Sequence, residues 1–129
     1  MNQAGYSHRK LVEKLGYKPL DTVYIFNAPN EFKKYLKDEH VIATAGVPAL
    51  WAHGFFKSES DLHSFLDAIS LDDIERGVWF SWPKKASGMK TNLTEQTFRD
   101  IVLPFGWVDI KVAAVDETWS GLKFTRRRG

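Results

Sequence analysis

The chain has 129 residues, a formal charge of +2, 43% hydrophobic and 26% charged residues, and no cysteine. Such a length suits one domain over residues 1–129, and the composition supports an ordinary core. The lack of cysteine excludes disulfides, thiolate catalysis and Cys-ligated zinc.

Residues 7–15 read as a helix, with Ser7 as cap, Leu11, Val12 and Leu15 as its stripe and Gly16 as its stop. Thr22-Val23-Tyr24-Ile25-Phe26 is apolar on both faces, so it reads as a central strand covered by helices on both sides. The turn Asn27-Ala28-Pro29-Asn30 leads into a helix carrying Phe32, Tyr35 and Leu36. Residues 41–44 and 49–56 read as two further strands, the second weakened by Gly54. Ser58 and the acids Glu59 and Asp61 open a helix whose stripe is Leu62, Phe65, Leu66 and Ile69. Residues 78–82 form another strand apolar on both faces.

A polar loop over 83–90 follows. Asn92 and Glu95 then stand at N-cap and N3 spacing for a helix with Phe98, Ile101 and Val102, which Pro104 and Gly106 end. Residues 108–115 and 122–126 alternate apolar and polar side chains. That pattern predicts an antiparallel hairpin at a sheet margin with one wet face. The expected fold is therefore α/β: a three-layer, mainly parallel twisted sheet flanked by helices, with a C-terminal antiparallel hairpin. The layout is Rossmann-like, and its closing hairpin looks like the end of a class I methyltransferase sheet.

Two stretches carry a family resemblance. One is Ser81-Trp82-Pro83-Lys84-Lys85-Ala86-Ser87-Gly88 with Asn92-Leu93-Thr94-Glu95. The other runs from Leu103-Pro104-Phe105-Gly106-Trp107 through Val115-Asp116-Glu117-Thr118-Trp119-Ser120-Gly121 to Leu122-Lys123. With Ala4-Gly5-Tyr6-Ser7 and Asn27-Ala28-Pro29, they resemble domain-of-unknown-function family 3052, small bacterial α/β proteins. The resemblance implies a compact cytoplasmic domain and no particular activity.

Ligands of open α/β sheets bind beyond the C-terminal ends of the strands, so the loops there hold the candidates. A nucleotide or S-adenosylmethionine site usually has a glycine-rich turn after the first strand. Here that turn starts at Asn27 and has no glycine, so no cofactor is expected, and Asn27 is kept as a ligand-binding candidate. Lys84, Lys85, Ser87 and Gly88 could hold a phosphate or carboxylate through charge and backbone N–H groups. The plainer reading is a solvated loop with a glycine turn. Asp116, Glu117, Trp119 and Ser120 could complete the site if their turn meets the lysine loop. The plainer reading there is a turn with Trp119 packed beneath it.

The four histidines show no metal-binding spacing, and no serine sits in a nucleophile elbow. Asn92-Leu93-Thr94 matches a glycosylation sequon but reads as helix capping. The interleaved charges argue against nucleic acid, despite a pI of about 8.8 and the tail Arg126-Arg127-Arg128. No apolar run or leader pattern suggests a membrane or secretion, so the cytoplasm is the expected compartment. The expected function is non-enzymatic binding of a small anionic ligand or a protein partner. The alternative is an enzyme of S-adenosylmethionine-dependent methyltransferase ancestry with an altered or lost cofactor site.

Overall fold

The structure, a computed structural model, describes residues 10–127. The elements follow the expected order: α1 (Leu11–Leu15), β1 (Thr22–Phe26), α2 (Asn30–Asp38), β2 (Ile42–Thr44), β3 (Ala49–Phe55), α3 (Glu59–Ala68), β4 (Ile74–Pro83), α4 (Glu95–Val102), β5 (Trp107–Ala114) and β6 (Trp119–Arg126). The six strands form one sheet in the order β2-β1-β3-β4-β6-β5. The pairs β1–β2, β1–β3 and β3–β4 are parallel, while β6 lies antiparallel between β4 and β5. The expected α/β architecture, a mainly parallel sheet flanked by helices with a C-terminal antiparallel hairpin, is therefore the observed one.

Neighbouring residues on a strand point to opposite faces, so strands with apolar residues on both faces feed two cores. Val23, Trp51, Phe55 and Trp79 pack with Val12 and Leu15 of α1 and with Phe32 and Leu36 of α2. Tyr24, Ala52, Val78 and Phe80 pack with Leu62 and Phe65 of α3 and with Phe98 and Val102 of α4. The result is three layers. The short α1 is tied down at its C-terminal carbonyls, which need partners at any helix end. Trp79 Nε1 donates to the Leu15 carbonyl at 2.8 Å, and Lys111 Nζ donates to that of Lys14 at 2.8 Å.

The structure corrects the sequence reading at three places. Strand β6 is not at the margin: Leu122 and Phe124 are fully buried, and Lys123 is not on a wet face. The Lys123 ammonium lies 4.6 Å from the centre of the Trp51 ring and 5.8 Å from that of Trp79, beneath α1. A lysine laid on indole rings keeps the alternating pattern of an edge strand inside the sheet. Burial, with repulsion from Lys111, lowers its pKa.

Second, α4 is capped by Thr94, whose hydroxyl accepts from the Thr97 N–H, and not by Asn92. Leu93, between Asn92 and Thr94, is buried and precedes the helix. Third, β3 runs straight through Gly54. A Cβ there would lie 2.2 Å from the Phe56 ring, so the glycine serves packing and does not interrupt the strand. The expected helix cap Ser7 lies outside the described residues.

Candidate functional site

In this strand order the chain passes from β1 outward to β2, then returns to the other side of β1 with β3. The switch point is the gap between the C-terminal ends of β1 and β3, where doubly wound sheets form a crevice. A cavity of about 530 Å³ lies there. Asn27 and Glu31 line it after β1, Lys57 and Asp61 after β3, and Phe55, Met89 and Trp119 give it an apolar floor. Phe55 and Trp119 meet edge to face at 5.1 Å. A second cavity, of about 470 Å³, opens between the ends of β1 and β2 and shares Asn27 as a wall.

Asn27 is exposed and has a φ of +56°, in the left-handed region. Asparagine tolerates that region better than most residues with a Cβ. The tight turn that glycine would usually make after β1 is thus made by Asn27. At the end of β2 stand Thr44 and Ala45, with no acid of the kind that dinucleotide sites use on a ribose.

The two candidate loops over residues 84–88 and 116–120 do meet, but through backbone: the Lys84 N–H donates to the Thr118 carbonyl at 2.8 Å. No ion pair joins Lys84 or Lys85 to Asp116 or Glu117 among the described residues. Ser87 donates to the Lys84 carbonyl at 2.7 Å and accepts from the Met89 N–H, and Gly88 takes a φ of +79°. These two residues shape the turn. Asp116 does the same for its own turn, accepting from the N–H groups of Thr118 and Trp119 at 2.8 Å each. Glu117 is exposed on that turn.

Lys84, Lys85 and Ser120 line a third cavity, of about 410 Å³, beside the start of α4. Trp119 is buried, as the plainer reading has it, yet it also floors the crevice at the switch point. The nine sequence candidates therefore fall into three groups. Asn27 and Trp119 share the switch-point cavity, Lys84, Lys85 and Ser120 share the third, and the others build turns or stand on them.

Charge is unevenly placed. Lys33, Lys57, Lys84 and Lys85 line the cavities of the C-terminal sheet edge. Among the described residues none of them forms an ion pair. Of the acids there, Asp61 accepts from the Lys57 backbone N–H, Glu95 pairs with Arg99 and Asp116 holds its turn, which leaves Glu31 and Glu117. The cavity at the opposite edge, about 520 Å³, is lined by Asp72, Asp73 and Glu75, with Arg126 paired to Asp72.

Sequence reading missed a polar chain in the core. His53 is fully buried, with Nδ1 3.0 Å from the Tyr17 hydroxyl and Nε2 2.8 Å from the Ser81 hydroxyl. Its ring stacks on Phe55 at 4.6 Å. A Ser–His pair can serve nucleophilic catalysis, but Ser81 and His53 are both sealed from solvent. Burial lowers the His53 pKa to about 3 and raises that of Tyr17 well above its ordinary value. The imidazole is thus neutral, able to donate at one nitrogen and accept at the other.

Residues 54–129 match the family model described as domain of unknown function DUF8412. The chain belongs to that family. The number expected from the sequence, 3052, is not the one matched, though an uncharacterised domain family is. No curated protein matches. Among solved structures the chain is similar to magnesium protoporphyrin IX methyltransferase (ChlM) from Synechocystis PCC 6803 with bound SAM. The TM-score is 0.55 at 10% identity, over 90% of this chain and 74% of that one. Similarity at that identity shows the fold alone. No helix among the described residues is long and apolar enough to cross a membrane.

Proposed function

We propose that this domain binds a small anionic ligand at the C-terminal edge of its parallel strands, without catalysing a reaction on it. The observation that carries this reading is the charge asymmetry: four lysines that form no ion pair among the described residues line one sheet edge, and an acidic cluster with Arg126 lines the other. Helices that follow parallel strands begin at the same edge, so the N-termini of α2, α3 and α4 add positive potential there. Binding without catalysis is supported by the burial of the Ser81–His53 pair in the core.

A second reading, an enzyme of S-adenosylmethionine-dependent methyltransferase ancestry, is favoured by one observation. Asn27 keeps the left-handed turn after β1 in a fold similar to that of a methyltransferase with bound SAM.

Thermal shift with inorganic phosphate, adenosine monophosphate (AMP) and S-adenosylmethionine tests both. The anion reading expects stabilisation by the phosphate-bearing ligands, about 2.7 kcal/mol at 100 times Kd. It also expects Lys84→Ala/Lys85→Ala to change the stability of the free protein by no more than about 0.5 kcal/mol. The same variant should weaken AMP about threefold, through the loss of two screened charges. Stabilisation by S-adenosylmethionine alone would support the second reading. Silence toward all three ligands would sink the anion reading and point to a protein partner.

A further inference from the structure

Asn27 occupies a particular place in the crevice. It closes the 470 Å³ cavity between β1 and β2 on one side and the 530 Å³ cavity between β1 and β3 on the other. Its carboxamide, which can donate and accept at once, makes no side-chain hydrogen bond among the described residues. Both cavities fall within the size range of small-molecule sites.

Their linings differ in kind. The β1–β2 cavity has small walls, Ala28, Ala43 and Ala45, and Lys33 is the one charged residue among those that line it. No carboxylate there opposes an anion. In the β1–β3 cavity Lys57 is balanced by Glu31 and Asp61, over the floor of Phe55, Met89 and Trp119. Asp61 is committed to the Lys57 backbone N–H, so Glu31 is left to accept from a ligand. This second cavity suits an uncharged body with an apolar surface and an N–H donor.

We propose that the two cavities form one bipartite site for a nucleoside monophosphate, with the phosphate against Lys33, the base over the Phe55–Trp119 floor, and Asn27 as the residue that reads the link between them. The inference rests on the anion-binding reading and goes beyond it in assigning the ligand class, its orientation and the deciding residue. An exocyclic amine on the base would find Glu31 as acceptor. Asn27 would meet the sugar hydroxyls with its free carboxamide.

The test uses AMP, adenosine and inorganic phosphate with the full chain. Kd is measured by calorimetry, and the melting midpoint of each variant reports its folding. Asn27→Gly keeps the left-handed backbone and removes the side chain, the carboxamide with it. Its melting midpoint should be unchanged, while AMP weakens about fivefold, the worth of one net hydrogen bond. Lys33→Ala should weaken AMP about tenfold, as expected for a charge-assisted contact, and should leave adenosine unaffected. AMP should bind more tightly than either adenosine or phosphate to the unaltered protein.

If AMP binds, and Lys84→Ala/Lys85→Ala weakens it while Asn27→Gly and Lys33→Ala do not, the bipartite site is wrong and the anion reading stands. If neither AMP nor phosphate binds, both are wrong.

Discussion

Replacing Gly54 by alanine is expected to destabilise the protein by about 3 kcal/mol, at the upper end of overpacking costs in a dense core. The added Cβ would overlap the Phe56 ring, which is fully buried. That ring cannot swing aside easily. Phe26, Phe65, Phe80 and Phe98 all lie within 6 Å of it, centre to centre. Urea unfolding of Gly54→Ala, read at the midpoint with an unchanged slope, measures the cost. A loss below about 0.5 kcal/mol, the scale of ordinary surface sites, would mean that the Phe56 ring relaxes freely and the cluster is not closely packed.

The second large effect is acid sensitivity. His53 has its pKa lowered to about 3 by burial, against an ordinary value near 6.5. Between those two values the unfolded chain binds a proton that the folded one refuses. Stability from this group is therefore fully present above pH 6.5 and lost as the pH falls toward 3. The slope is about 1.4 kcal/mol per pH unit, on the order of 4–5 kcal/mol over the window. His53→Gln keeps a donor and an acceptor for Tyr17 and Ser81 but cannot titrate. The expected result is a steeper loss of stability between pH 6.5 and 5 in the unaltered protein than in His53→Gln. Parallel profiles for the two would show that His53 is not held neutral by the fold.

Much of the fold was legible because patterning is read residue by residue. The runs Val23–Phe26 of β1 and Val78–Phe80 of β4, apolar on both faces, announce a sheet covered on both sides, and the two cores are arranged that way. What misled was a lysine. Lys123 has the polarity of a wet position, and only the fold brings Trp51 and Trp79 beneath it. Local alternation could not distinguish a marginal strand from one inserted between β4 and β5. Gly54 was similarly ambiguous, because its reason is a ring two residues away on the same face.

The candidate site was legible only in part. Lys84, Lys85, Asp116 and their neighbours were visible as polar residues in loops, but their pairings were not. Asp116 and Ser87 spend their side chains on turn N–H groups, and the two loops join through backbone. Lys33 and Lys57 escaped notice because each looks like an ordinary surface lysine until the strand order brings them to one edge. His53 did leave a signal: it alternates with Ala52 and Gly54, and so shares a face with Trp51 and Phe55. The missing glycine after Phe26 reads as the absence of a cofactor loop, whereas Asn27 supplies the left-handed backbone that glycine would give, with a side chain attached.

A backbone-amide NMR titration with AMP tests the central claim of anion binding at the C-terminal sheet edge most directly. Saturable shifts are expected to concentrate at residues 27–33, 43–45, 55–61 and 84–88, where the lysine-lined cavities lie. Shifts confined to residues 48–50 and 72–75 at the acidic edge, or no saturable shift, would contradict it.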